Sequence, residues 1–165
     1  MSALTIRPAT EDDLPDVLAL YAQPGMDDGK ILPLDEAKAL FDRFARYPDY
    51  VLYVAQDADG IVGTFALLVM DNLGHLGAPS AVIEDVVVSP ARQGGGVGGA
   101  MMRFAMKKAA EKGCYKLVLS SNAKRVKAHQ FYENLGFRRH GVSLHVDLTP
   151  EGEALPPTEP LEVAS

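Results

Sequence analysis

Ile83-Glu84-Asp85-Val86-Val87-Val88-Ser89-Pro90, followed after two residues by Gln93-Gly94-Gly95-Gly96-Val97-Gly98-Gly99, is the stretch on which the fold turns. Ala81–Val88 is rich in β-branched residues and reads as a strand that Ser89-Pro90 closes. From Val97 the apolar positions Met101, Met102, Ala105, Met106 and Ala109 recur at helical spacing, with Arg103, Lys107, Lys108, Glu111 and Lys112 on the other face. Gly113 ends that helix. A glycine cluster therefore joins a strand to a helix. Successive residues without Cβ let a ligand approach the backbone, and the free N–H groups of a helix start carry the positive end of its dipole. The stretch reads as an anion cradle.

Which phosphate it takes is a separate question. Gly94, Gly96 and Gly99 satisfy G-x-G-x-x-G, but a dinucleotide site needs an acidic residue about 20 positions later, where the chain reads Lys116-Leu117-Val118-Leu119-Ser120-Ser121-Asn122. The cluster also follows the fourth strand rather than the first of a βαβ series. A P-loop fails sooner, because no Gly-Lys-Ser/Thr closes the cluster.

Outward from this stretch, Leu4–Arg7 predicts a first strand, and Thr10 starts a helix with Glu11, Asp12 and Asp13 at its positive end. That helix stops before Pro24-Gly25. The turn-rich Pro24–Lys30 is either a substrate lid or an ordinary solvated connection, and a second helix follows over Leu34–Arg46. Tyr50–Gln56 and Ile61–Met70 form two antiparallel strands around an Asp59-Gly60 turn. Tyr115–Ser121 is a fifth strand. Ala128, Phe131, Tyr132 and Leu135 mark the buried face of a last helix ending at Gly136. Short strands near Phe137–Arg139 and Val142–Leu148 complete a single domain over residues 1–148. Residues 149–165 form a Pro/Glu-rich tail expected to be extended or disordered.

Composition narrows the partners. The chain has 165 residues, of which 47% are apolar, enough for one core. No run approaches the ~20 apolar residues of a membrane span, and Met1–Thr10 lacks a signal peptide's apolar stretch, so a cytoplasmic location with no membrane partner is expected. A net charge of -6 with no basic cluster beyond Lys124–Lys127 argues against a nucleic-acid partner and suits cationic amines. The single Cys114 reads as a buried apolar side chain. His75, His129, His140 and His145 include no H-x-x-x-H pair, so no metal is expected.

Gln93-Gly94-Gly95-Gly96-Val97-Gly98 resembles the Q/R-x-x-G-x-G/A pyrophosphate loop of the GNAT superfamily of acetyl-CoA-dependent N-acetyltransferases. Ile83–Pro90 resembles that family's fourth strand, in the form seen in glucosamine-6-phosphate N-acetyltransferases. Asn122 to Phe137, with Ala128, Phe131-Tyr132 and Leu135-Gly136-Phe137, is similar to its final helix motif. The resemblance spans about Leu4–Leu148, is sharpest over Ile83–Phe137 and weakest before Tyr50. It implies an α/β (α+β) fold: a mixed, mostly antiparallel seven-stranded sheet flanked by four helices, with parallel strands 4 and 5 splaying apart around the pantetheine arm. The co-substrate it implies is acetyl-CoA, held by Gln93, Gly94, Gly95, Gly96, Val97, Gly98 and Gly99. The family often dimerises through its C-terminal strands, so a homodimer is compatible with it.

Residue chemistry supplies candidate roles. Backbone groups of Val86, Val87 and Val88 can pair with the amide-like pantetheine arm as a sheet edge captures a peptide. A strand N–H, that of Val86, suits the oxyanion formed when an amine attacks the thioester. An alkylamine of pKa near 10.4 must lose a proton first, and Glu84, nine positions before Gln93, matches the acidic residue given this role in the glucosamine-phosphate enzymes. With regular pleating Asp85 faces the other way, and a bulge would exchange the two. Tyr132 resembles the family's general acid toward the departing thiolate. Asn122 either bonds the pantetheine arm or caps the following helix. The expected acceptor is a small-molecule primary amine whose identity is open. The alternative is a non-catalytic coenzyme A-binding sensor on the same fold.

Overall fold

The computed structural model describes residues 3–156. Five strands, β1 (Thr5–Pro8), β2 (Tyr50–Asp57), β3 (Gly60–Met70), β4 (Ser80–Val88) and β5 (Leu117–Leu119), lie in the order β1-β2-β3-β4-β5. All neighbours are antiparallel except β4 and β5, which run parallel. Four α-helices pack on the sheet: α1 (Leu14–Tyr21), α2 (Leu34–Phe44), α3 (Val97–Glu111) and α4 (Val126–Asn134). A tight turn joins β2 to β3 and the 71–79 connection joins β3 to β4, both antiparallel; β1 reaches its antiparallel partner β2 only through α1 and α2, and α3 is the crossover that the parallel β4–β5 pair requires.

The sheet separates two cores. On one face α3 and α4 cover Tyr53, Phe65, Leu67, Ala81 and Ile83 with Val97, Met101, Met102 and Ala105. On the other, Leu14, Val17, Leu18 and Ala37 of α1 and α2 cover Leu52, Val54 and Ala66. From Gly63 on, strand pleating sorts β3 by parity, Phe65 and Leu67 facing α3 and Ala66 facing α1, while before the register shift opposite Ala55 and Gln56 the order is reversed, Val62 facing α3 and Ile61 facing α1. At Gly63 the side chains of α3 lie directly on the sheet, since a Cβ there would stand 2.9 Å from the Met101 sulfur and 3.2 Å from Val97 Cγ1. The start of α3 is thus pressed onto β3, which fixes the direction of its dipole.

A turn of 3₁₀ helix, Glu11–Asp13, precedes α1. There Asp13 accepts two bonds from the Arg7 guanidinium, at 2.7 and 2.8 Å, and one from the Thr10 N–H at 2.8 Å. These bonds, the Arg7 ones foremost, hold its carboxyl at about 2. This cluster locks β1 to the helix that follows.

Two sequence-based expectations fail at the C-terminus. The sheet has five strands, not seven, because 137–139 and 142–148 form no strand within this chain. β5 pairs with β4 only from Leu117 to Leu119, so it offers no long outer edge on which further strands could build. Val142, Leu144, Val146 and Leu148 consequently stand 85%, 89%, 54% and 62% exposed. Past them the chain turns back on itself: Leu148 bridges Ala154, and the Leu155 N–H donates to Asp147 O at 2.7 Å. The first part of the expected tail is therefore a small turn, and positions 157–165 of that tail lie outside the described residues.

Candidate active site

β4 and β5 pair at Ala81↔Leu117, Val82↔Val118 and Ile83↔Leu119 and then separate. Beyond Ile83, β4 keeps only its β3 partner. Ser89 N–H donates to Val62 O on the β3 side, so by strand alternation Val87 also turns its backbone groups to β3. Those of Val86 and Val88 point into the gap. Of the three residues expected to line it, Val87 is thus turned away. The Val88 carbonyl accepts the side-chain amides of Gln23 at 3.2 Å and Gln93 at 3.3 Å, both able to swing aside for another donor.

The glycine loop closes the end of this gap. Gly94 and Gly96 have φ of 78° and 88°, a left-handed backbone that residues with a Cβ rarely adopt, and a Cβ on Gly95 would meet Arg92 O at 3.1 Å. Gly96 caps α3, whose first helical bond is Ala100 N–H to Gly96 O, so the N–H groups of Val97, Gly98 and Gly99 have no helical acceptor. Arg92 anchors the loop from behind by bonding Asp57 at 2.8 Å and Asp59, in the β2–β3 turn. That bond also holds the Asp57 carboxyl below its ordinary range. The signal for this anchor was the Asp-Gly turn, whose carboxylates the sequence reading used only for the turn itself.

Helix α4 forms the far wall. Phe131 abuts Gly98, where an added Cβ would stand 3.2 Å from its ring. Tyr132 packs against Phe131 and Phe137 with ring centroids 5.1 and 5.7 Å away. Burial, partly offset by Arg125, raises its phenol above the ordinary value, so it stays protonated at neutral pH. Its hydroxyl bonds no group among the described residues. Asn122 neither belongs to β5 nor caps α4, whose cap is Arg125. Its side-chain oxygen accepts the Lys124 N–H at 2.9 Å and its carbonyl meets His129 Nε2 at 2.9 Å, leaving its Nδ2 available. His75 stacks on Tyr115 at 4.3 Å.

The register of β4 resolves the two acids. Thr64 faces Val87 and Ala66 faces Glu84, so the single residue Phe65 spans two, Asp85 and Val86. This is a β-bulge, with Asp85 at φ 52°. Across from Ala66, Glu84 lies on the α1 face. Asp85 does not go to the α3 face as regular pleating predicts, since its charge acts on Tyr21 and Tyr50, both on the α1 side. Loss of solvent, followed by the charge of Asp27, raises the Asp85 carboxyl. Tyr21, Tyr50 and Asp27 escaped the sequence reading as site residues. Asp27 lies in the segment read as a lid or a connection, and that segment folds onto the end of α1 through Asp27 N–H to Tyr21 O at 3.0 Å and Gly29 N–H to Ala22 O at 2.8 Å.

A splayed parallel pair ending at a glycine-built helix start agrees with comparison to known proteins. Residues 14–137 match the Acetyltransferase (GNAT) family. The chain belongs to the GNAT acetyltransferase family. It is 36% identical over 97 residues to a glucosamine 6-phosphate N-acetyltransferase of Trypanosoma brucei brucei, a match that covers 59% of this chain and 64% of that relative. The chain thus spans less than two thirds of that relative's length. Among solved structures it is similar to a putative acetyltransferase from Agrobacterium tumefaciens, with a TM-score of 0.80 and 32% identity over 87% of this chain and 99% of that one. A transcriptional regulator from Bacillus halodurans is similar at a TM-score of 0.77 and 30% identity, over 87% and 99%. GNAT acetyltransferases use acetyl-CoA as co-substrate, and the glycine loop fits its pyrophosphate: the left-handed turns and unbonded N–H groups suit an anion lying on the backbone. Among the described residues, no helix is long and apolar enough to cross a membrane.

Proposed function

We propose that this chain transfers the acetyl group of acetyl-CoA to the primary amine of a small molecule. The observation that carries the reading is the open edge of β4: past Ile83 the strand has no partner on the β5 side, and Val86 and Val88 turn their backbone groups to that gap, where only the side-chain amides of Gln23 and Gln93 meet the Val88 carbonyl. Bound there, acetyl-CoA supplies an activated acetyl thioester. Gly94–Gly99 hold its pyrophosphate, and Val86 and Val88 pair with its amide-bearing arm, with Gln93 and Asn122 at either end. The Val86 N–H stabilises charge on the thioester oxygen. The Glu84–Asp85 pair provides the base, and Tyr132 protonates the departing sulfur. Among acceptors, aminosugars come first, because the Trypanosoma brucei brucei relative is named for glucosamine 6-phosphate.

A homodimer belongs to this reading. Val142, Leu144, Val146 and Leu148 alternate as a strand does yet stay exposed, and a second copy would cover them. Sedimentation should show a dimer that Leu144→Asp dissociates. A non-catalytic coenzyme A sensor is the second reading, favoured by the similarity to a transcriptional regulator. Release of free thiol from acetyl-CoA over a panel of amines separates the two: turnover with any amine supports the enzyme, and tight acetyl-CoA binding without turnover supports the sensor.

A further inference from the structure

We propose that Arg103 is a phosphate ligand for the co-substrate: its guanidinium, laid back over Gly99, shares one phosphate group of coenzyme A with the free N–H groups at the start of α3. The inference rests on the acetyl-CoA reading above, and it adds a cation to a cradle that the glycine loop otherwise builds from backbone. Gly99 is its starting point. Unlike Gly94 and Gly96, Gly99 has no left-handed φ, so no turn requires a glycine there, and a glycine inside a helix costs stability relative to alanine. The space of its missing side chain is taken by Arg103, about one helical turn further on. A Cβ at Gly99 would stand 3.2 and 3.4 Å from the two terminal guanidinium nitrogens and 3.6 Å from the carbon between them. Helical side chains lean toward the N-terminus of their own helix, and this one covers Gly99, which is buried, while remaining exposed itself.

Without an anion this placement is electrostatically unfavourable. The dipole of α3 has its positive end at Val97–Gly99, where a cation is repelled. Arg7, Arg92 and Arg139 each meet a carboxylate, but Arg103 meets none among the described residues. Arg92 is the arginine nearest the glycine loop in sequence, yet its guanidinium is engaged behind the loop by Asp57 and Asp59. Arg103 instead lies beside the helix start with its donors open to solvent. A Cβ is two bonds from its own backbone nitrogen, so a guanidinium packed on that position borders the Gly99 N–H. A phosphate that accepts this N–H can accept a charge-assisted bond from Arg103 as well, and the planar fork suits two oxygens of one phosphate. One anion then answers both the dipole and the arginine.

Calorimetry measures the binding of coenzyme A, 3′-dephospho-coenzyme A and pantetheine, which carries no phosphate, to the unmodified chain and to the Arg103→Gln, Arg103→Lys, Gly99→Ala and Gly99→Ala/Arg103→Gln variants. Arg103→Gln should weaken coenzyme A about tenfold, the size of one hydrogen bond to a charged group. That loss should shrink as salt rises from about 0.1 to 1 M, which cuts the screening length from about 10 to 3 Å and would not alter a purely structural effect. Arg103→Lys keeps the charge without the fork and should recover part of the loss. Pantetheine should bind both chains alike. A loss that persists with 3′-dephospho-coenzyme A assigns the contact to the pyrophosphate, and one that vanishes with it assigns the contact to the 3′-phosphate. Gly99→Ala forces the guanidinium off its seat, so it should weaken coenzyme A in the unmodified background and less when Arg103 is already glutamine. Unchanged coenzyme A affinity in Arg103→Gln, an equal loss with pantetheine, a loss indifferent to salt, or fully additive effects in the double variant overturns the inference while leaving acetyl transfer standing. Failure of the unmodified chain to bind coenzyme A overturns the acetyl-CoA reading and this inference with it.

Discussion

Tyr132→Phe removes one oxygen and leaves the ring between Phe131 and Phe137. Because that hydroxyl bonds no group among the described residues, its loss should cost stability well under 1 kcal/mol, a shift of at most about 2 °C for a domain of this size. Phe131, which abuts Gly98, is untouched, so acetyl-CoA affinity should stay within about twofold. Turnover is another matter. A general acid contributes roughly 10²–10⁴ in rate, or about 3–5 kcal/mol of barrier. The raised phenol remains protonated through neutral pH, so the defect should be flat between about pH 6 and 9. The decisive assay pairs acetyl-CoA with an acetyl thioester whose thiol has a low pKa and departs without protonation. With that donor the defect should largely vanish. An equal defect with both donors, or lost stability with retained turnover, would refute the acid role and make Tyr132 structural.

Gly96→Glu places a carboxylate on a residue at φ 88° that caps α3, where it both strains the backbone and repels a pyrophosphate. Calorimetry should show at least a 100-fold loss of acetyl-CoA affinity in a folded protein, and unchanged affinity would place the anion elsewhere. Asp13 contributes a pH-dependent stability. Its folded pKa of about 2 lies below the unfolded value of about 3.9, so the stabilisation is complete above about pH 5 and disappears as the pH falls toward 2. The amount is about 1–2 kcal/mol, and Asp13→Asn should lower the urea midpoint at pH 7 while flattening its fall between pH 5 and 2.

The glycine loop was legible in the sequence because left-handed turns and close backbone approach leave few residue types able to serve, and both Gly94 and Gly96 adopt them. β2, β3 and β4 were legible for a similar reason: apolar β-branched runs between turn residues admit few alternatives. The bulge was not. One added residue at Asp85 reverses which face a side chain meets without changing composition or hydropathy, and only the register against Thr64 and Ala66 reveals it. The C-terminal strands failed in the opposite way. Val142–Leu148 carries a strand's alternation, but a strand is a property of two segments, and β5, only three residues long, gives this one no edge within the chain. Tyr115–Ser121 shortened to Leu117–Leu119 because its parallel partner diverges there.

The separation of β4 from β5 has a consequence for the lifetime of the protein as well as for its chemistry. On the acetyl-transfer reading proposed above, the arm of acetyl-CoA would complete a sheet whose inner strand is left half-paired, making the loaded protein a more finished fold than the free one. A ligand at 100 times its Kd adds about 2.7 kcal/mol to stability, comparable with a large core residue. Slowed amide exchange at Val86 and Val88 on loading would report that completion residue by residue. Proteases that act on transiently opened chains would then remove the protein fastest when acetyl donor runs short, so that its abundance follows the supply of the molecule it consumes.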